Sequence, residues 1–366
     1  MDLAIWDPFS GGDFRTTGEP SAVYDRHMEQ VQEAEQLGYD QYYLIEHQSS
    51  PGLRCTSTAT VLAAMTQHTS VIRLGSMIFP LPFHNPVRLA QDAATIDQLS
   101  KGRLEFGTGI GTTEQESYRF GLDYSERRSM GEEALDIIKM TWTQEEVTYD
   151  GKFWQFREHL PFPKPYQNPH PPIWCGCHSV RAHEFAARNS YGCAENIDTD
   201  DDIAAKFAIY HKVWKDAHPD GGPGRTFLMR QVYVDDTDEK AHEVARARFG
   251  NTWGQENRGL MHEHFGLNPR GYGGDDTPEI RQRERVRQMM AGENGYEWAI
   301  ENGIFIVGSP DTVVSTVQRT AERMGGLDVF CANFEFGRMP LNQARRSLRM
   351  FGEHVLPEVS KVPVRL

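Results

Sequence analysis

"SVIRLGSMIFPLPFHNPVRLAQDAATIDQLSKGRLEFGTG", residues 70–109, holds two short apolar runs of strand character, 70–79 and 103–109, around a stretch at 85–100 whose apolar residues recur at helical spacing. Strand, helix and strand in this order form the βα unit of a parallel sheet, whose neighbouring strands need a crossover to return the chain to the same edge.

The alternation continues in both directions. Upstream stand "LAIWDPF" (3–9) with a helix from about 22 to 37, then "QYYLIEH" (41–47) with "TSTATVLAAMTQHT" (56–69). Downstream come a helix near 127–142, "PPIWCGC" (171–177) leading into "SVRAHEFAARNS" (179–190), and strands near "YGCAEN" (191–196), "FLMRQVYVDD" (227–236) and "LDVFCANF" (327–334). Eight such units predict an α/β fold, a single (β/α)8 TIM barrel over residues 1–366 with insertions. One insertion, about 144–170, contains "EEVTYDGKFWQF" and reads as a hairpin turned by Asp150 and Gly151. The other, about 251–300, is a long Gly- and charge-rich segment before the last strand, including "GLNPRGYGGDDTPEIRQRERVRQ", and reads as a lid.

Composition narrows the function classes. A net charge of −14, from 38 basic and 52 acidic side chains, argues against nucleic acid held through a phosphate-attracting surface. "MDLAIWDPFS" has neither a basic leader nor an apolar core of signal length, and no run of about 18 apolar residues occurs, so a cytoplasmic protein without membrane contact is expected. Five cysteines are odd in number and sparse, which fits reduced thiols. Neither Cys175 with Cys177 nor His262 with His264 completes a four-ligand set, so no metal is expected.

Candidate chemistry lies where a barrel exposes it, at the C-terminal ends of strands. The second strand ends on Glu46 and His47, and His47 is either a strand cap or a pocket imidazole titrating near neutrality. Gly107, Gly109 and Gly111 alternate after the fourth strand, leaving room for a planar or anionic ligand or for a tight barrel corner. After the fifth strand, His178, Ser179 and Arg181 open a helix, where free N–H groups attract an anion or Ser179 serves as a plain N-cap. Met77 and Ile78 end the third strand before two prolines, as an apolar shelf.

The segments "LGYDQYYLIEHQ" (37–48), 72–111, "PPIWCGCHSVRAHEFAA" (171–187) and "VGSPDTVVSTVQ" (307–318) together resemble the bacterial luciferase-like family of flavin-dependent monooxygenases, in order and spacing over nearly the whole chain. The resemblance implies a barrel that binds flavin at its C-terminal mouth, with His47 acting on flavin-oxygen intermediates and Glu46 beside it. It implies a non-proline cis peptide at Met77–Ile78 under the flavin ring, and cofactor contacts from Glu46, Met77, Ile78, Gly107, Gly109, Gly111, His178, Ser179 and Arg181. The family's luciferases often carry a second histidine where this chain has Gln48, and a cysteine or arginine where it has Gly109 and Ile110. The implied activity is that of a two-component monooxygenase. Reduced FMN from a separate flavin reductase reacts with O2 through a flavin hydroperoxide and oxygenates a small organic substrate; a homo-oligomer is implied too. Two alternatives remain open: a deazaflavin-dependent hydride-transfer oxidoreductase on the same barrel, and a catalytically silent flavin-binding protein. Which substrate is used depends on how Phe9, Phe83, Trp142 and the segment before the last strand shape the pocket.

Overall fold

Short β-branched and aromatic runs buried on both faces form parallel strands, and the longer amphipathic stretches between them form the helices that cover the outside. The computed structural model describes residues 1–9, 19–48, 55, 57–111, 114–253, 285–286, 288–337 and 339–362. Its strands are β1 (Asp2–Asp7), β2 (Gln41–Leu44), β3 (Arg73–Pro80), β4 (Leu104–Gly109), β5 (Val147–Asp150), β6 (Gln155–His159), β7 (Ile173–Gly176), β8 (Gly192–Glu195), β9 (Thr226–Val234), β10 (Phe305–Gly308) and β11 (Val329–Asn333). Strands β1, β2, β3, β4, β7, β8, β9 and β11 pair in that order. Parallel pairing of Cys193 with Thr226 and of Asp2 with Val329 closes them into the expected eight-stranded barrel. No helix among the described residues is long and apolar enough to cross a membrane.

The expected insertion of about 251–300 includes the helix Gly295–Glu301, and β10 and the helix Pro310–Arg323, which the sequence reading did not separate, follow it before the last strand. Strand β10 pairs with Gln231–Val234 of β9, beyond the stretch of β9 that pairs with β8. Four residues, "FIVG", are too few to show a period and run straight into Ser309-Pro310, so the strand is not legible as one. Most of the expected lid, residues 254–284, lies outside the described residues. The hairpin exists, but it turns at Lys152–Phe153 and not at Asp150 and Gly151: Asp150 pairs with Gln155, and Gly151 N donates to Trp154 O at 3.0 Å. The Glu133 carboxylate, on the helix Arg127–Thr143, accepts from the backbone N of Lys152, Phe153 and Trp154 at 3.0–3.3 Å and so holds this turn in place.

The barrel interior pairs large side chains with absent ones. Tyr43, Met77, Trp174, Phe227 and Met229 fill it with Ala4, Ala194, Val329 and Cys331. A Cβ at Gly192 would stand 2.4 Å from the Trp174 ring, and one at Gly75 would stand 2.7 Å from the Tyr43 ring, so these glycines make room for the aromatic layer. Polar side chains plug the N-terminal end: Trp174 Nε1 donates to Glu105 at 2.7 Å, Arg73 Nε to the same carboxylate at 2.5 Å, and Gln41 Nε2 to Asp2 at 2.8 Å. Trp142 belongs to the outer layer and not to the pocket it was expected to shape. It is buried against Phe106, edge to face, and its Nε1 donates to Ala90 O at 2.9 Å.

Candidate active site

The turn after β2 brings two carboxylates and two imidazoles together. His47 Nδ1 lies 3.1 Å from Glu116 Oε1, and the Gln48 amide donates to the same oxygen at 2.7 Å. Glu116 comes from the helix Glu114–Arg119, which follows the glycine turn of β4. An ionised carboxylate only accepts, so in this contact Nδ1 is the donor and Nε2 is the end of the ring turned away from Glu116. Glu116 is buried while the His47 side chain keeps 24 % of its exposure, so the pair has a fixed end and an open end. Glu46 is buried beside it: Oε1 accepts from Gln48 Nε2 at 3.2 Å and faces His84 Nε2 at 2.7 Å. Its other oxygen, Oε2, is buried without a hydrogen-bond partner among the described residues.

On the adjacent strand, β3, the peptide between Met77 and Ile78 is cis, where the resemblance put one. The pairing of β3 with β4 shifts register between Ser76 and Phe79. A Cβ at Gly107 would stand 2.0 Å from Ser76 O, and one at Gly109 would stand 2.7 Å from Ile78 Cδ1. Gly107 and Gly109 therefore give room to the irregular end of β3. Gly111 has φ +77°, a left-handed turn beneath Phe83. Ile78 and Trp6 are the partly buried apolar side chains packed on the interior cluster, so they form the floor of the mouth.

At the ends of β7 and β8 lies a second imidazole–carboxylate pair. His178 Nδ1 is 3.2 Å from Glu195 Oε2, and Lys206 Nζ pairs with both Glu195 and Asp198. Burial pushes the Glu195 pKa up, but Lys206, His178 and His183 together hold it well below the ordinary carboxylate range. Ser179 caps the helix Val180–Arg188, its Oγ accepting from Ala182 N at 3.2 Å. Arg181 is exposed and lies 3.7 Å from Glu132. Among the described residues, Asp7, His27 and Glu335 also gather ligand-type atoms within 4.8 Å of one another. Asp7 Oδ2 there already accepts from Tyr42 at 2.5 Å and faces His27 Nδ1 at 2.7 Å, a hydrogen-bonded knot in the core.

The structure thus joins His47 and Glu46 in one network, puts Met77, Ile78, Gly107, Gly109 and Gly111 along the neighbouring rim, and sets His178, Ser179 and Arg181 at a separate helix opening. Sequence reasoning missed Glu116, His84 and Glu195. Glu116 sits within the glycine-rich stretch, but no spacing reveals that a carboxylate 69 residues on returns to His47.

The family model for luciferase-like monooxygenases matches residues 1–327. This chain belongs to that family. Membership places it among flavin-dependent oxidoreductases. The oxygenase component of the flavin-dependent trigonelline monooxygenase of Acinetobacter baylyi is 28% identical over 229 residues, a match covering 61% of this chain and 62% of that one. The match thus spans less than two thirds of that relative's length. Among solved structures, the oxygenating constituent of 3,6-diketocamphane monooxygenase from Pseudomonas putida, a type II Baeyer–Villiger monooxygenase in complex with FMN, superposes with a TM-score of 0.79 at 20% identity and covers 100% of both chains. An F420-dependent secondary alcohol dehydrogenase with an F420-acetone adduct superposes with a TM-score of 0.72 at 17% identity and covers 98% of both chains. At such identities the likeness is one of fold.

Proposed function

We propose that this luciferase-like barrel is the oxygenase component of a two-component monooxygenase, taking reduced FMN from a separate reductase and using O2 to oxygenate a small organic substrate. The observation that carries the proposal is the His47–Glu116 pair, an imidazole anchored on a buried carboxylate at the end of β2, next to β3 and its Met77–Ile78 shelf. The residues present fit a flavin: the Met77–Ile78 shelf is apolar, Glu46 Oε2 is an unsatisfied buried acceptor, and the Val180–Arg188 helix opens beside His178. Met77, Ile78 and the rim from Gly107 to Gly111 would carry the ring, and His178, Ser179 and Arg181 the phosphate end. Reduced flavin, when bound, supplies the electrons that activate O2.

The chain's own part is then threefold. Ile78 and Met77 exclude water from one side of the reacting centre. Glu116 holds the His47 ring with Nδ1 protonated, so that Nε2 takes or returns a proton at the oxygen being transferred. Glu46, tied to His84 and Gln48, fixes the backbone on which His47 stands.

A second reading, hydride transfer with a deazaflavin, draws support from the fold shared with the F420-dependent dehydrogenase. Titration with reduced FMN and with reduced deazaflavin, each followed by O2, separates the two. The monooxygenase reading expects tight binding of reduced FMN and a fall in hydrogen peroxide released per FMN once a substrate is present. Peroxide in full yield against broad aldehyde, ketone, terpene and sulfonate panels, together with reduction of deazaflavin by an alcohol, would replace it.

A further inference from the structure

The barrel interior stays apolar until its last layer at the mouth, where side chains of another kind appear. Ile5 pairs with Ala332 and Asn333 with Gln231, so Trp6 and Asn333 near the C-terminal ends of β1 and β11 stand side by side with Gln231 in the C-terminal half of β9. Phe227 and Met229 belong to the interior cluster, and strand alternation turns Gln231 inward with them. Gln231 is 7% exposed, yet its Oε1 is buried with no hydrogen-bond partner among the described residues, and the same holds for Trp6 Nε1. Asn333, between them, has its Oδ1 engaged by the Glu335 amide at 2.8 Å.

Leaving a buried polar group unpaired forfeits its hydration with nothing in return, and folded proteins do so rarely. Here a donor and an acceptor are left in one inward-facing row, two strands apart and so about 10 Å at the backbone. The neighbouring walls offer Met77, Met229 and Cys331, which cannot satisfy them. A molecule that settles on this row must bring an acceptor for the indole N–H and a donor for the amide oxygen on an otherwise apolar body.

We propose that Trp6 and Gln231 recognise the substrate through a lactam-type or hydroxycarbonyl edge, its carbonyl oxygen accepting from Trp6 Nε1 and its N–H or O–H donating to Gln231 Oε1. The inference rests on reading the mouth as the flavin site. The flavin's own pyrimidine edge carries the same chemistry. Strand order favours the substrate: the proposed flavin shelf is on β3, flanked by β2 and β4, whereas the row lies on β1, β11 and β9.

The test uses the full chain, the variants Trp6→Phe and Gln231→Leu, and three probes: δ-valerolactam, its N-methyl derivative and FMN. Calorimetric or NMR titration gives each dissociation constant, and thermal unfolding without ligand gives Tm. The expected result is a wild type that prefers the lactam to its N-methyl form. In Gln231→Leu that preference disappears and the lactam binds about tenfold more weakly, while Trp6→Phe weakens both lactams. FMN affinity stays within about twofold in both variants, and Gln231→Leu does not lower Tm, because an apolar side chain of similar size replaces an unsatisfied amide. A wild type that does not discriminate the lactams overturns the proposal. So does a Gln231→Leu variant that loses Tm and keeps its lactam affinity, which would make the amide structural. A tenfold loss of FMN affinity with unchanged lactam binding overturns it too, assigning the row to the flavin edge. A wild type that binds the lactam selectively but no FMN would sink the flavin reading and leave the row standing.

Discussion

Glu116→Gln tests whether a carboxylate after β4 positions the imidazole after β2. In the wild type one oxygen of Glu116 takes the Gln48 amide at 2.7 Å and faces His47 Nδ1 at 3.1 Å, with the Glu116 side chain 6% exposed. Glutamine keeps one carbonyl oxygen of nearly the same shape, so the Gln48 bond can survive. The charge-assisted hold on His47 cannot, and a neutral acceptor is worth roughly half as much, a loss of about 1–1.5 kcal/mol. The ring is then free to turn or to move its proton to Nε2, and if its productive state falls to about one in ten the rate falls about tenfold. His47→Ala removes the group altogether and is expected to cost about 10²- to 10⁴-fold. The assay mixes enzyme and reduced FMN with O2 in a stopped-flow instrument and follows both the return of oxidised FMN and the peroxide formed. A positioning role predicts an FMN dissociation constant unchanged within about twofold in Glu116→Gln, and a double variant no slower than His47→Ala, because a residue that acts through another adds nothing once that other is gone. If Glu116→Gln matches the wild type while His47→Ala is slow, or if the double variant is much slower than His47→Ala, the reasoning is refuted.

Three further outcomes are expected. Gly107→Ala should unfold at markedly lower temperature than Gly176→Ala, since its Cβ would stand 2.0 Å from Ser76 O against 3.1 Å from Ile78 Cγ2; overpacking of the first kind costs about 1–3 kcal/mol or more, and equal melting points would contradict the geometry. Burial lowers the His183 pKa from 6.5 against the pull of Glu195, so below that value the unfolded chain binds a proton the folded chain refuses. Stability should therefore fall as pH drops through about 6.5 toward the lower folded value, and denaturant midpoints at pH 7 and pH 5 should differ less in His183→Gln than in the wild type. His178→Ala should weaken FMN more than Arg181→Ala, because His178 is anchored on buried Glu195 whereas Arg181 is exposed beside Glu132; titration showing the reverse order would move the phosphate anchor outward.

Periodicity by itself determined the barrel, since a strand buried on both faces and a helix buried on one leave different spacings in any sequence, and eight such alternations have few ways to close. It also marked Glu46 and His47, because an apolar run that stops on charged groups stands out without knowledge of anything distant. Tertiary structure alone decided which partners those groups meet. Glu116 reaches His47 across 69 residues, Glu195 reaches His178 across 17, and Trp6, Asn333 and Gln231 meet only because β1, β11 and β9 are neighbours in the closed sheet. The glycines after β4 show the same division: their presence is written in the chain, but whether they make room for a ligand or for Ser76 and Ile78 depends on how far β3 departs from regular pairing. Strand β10 was hidden for the complementary reason, that four residues carry too little period to be read and take their strand form from pairing with β9. Local pattern reports which face of an element is buried. Side-chain partners across the barrel are set by closure and register, which no single segment encodes.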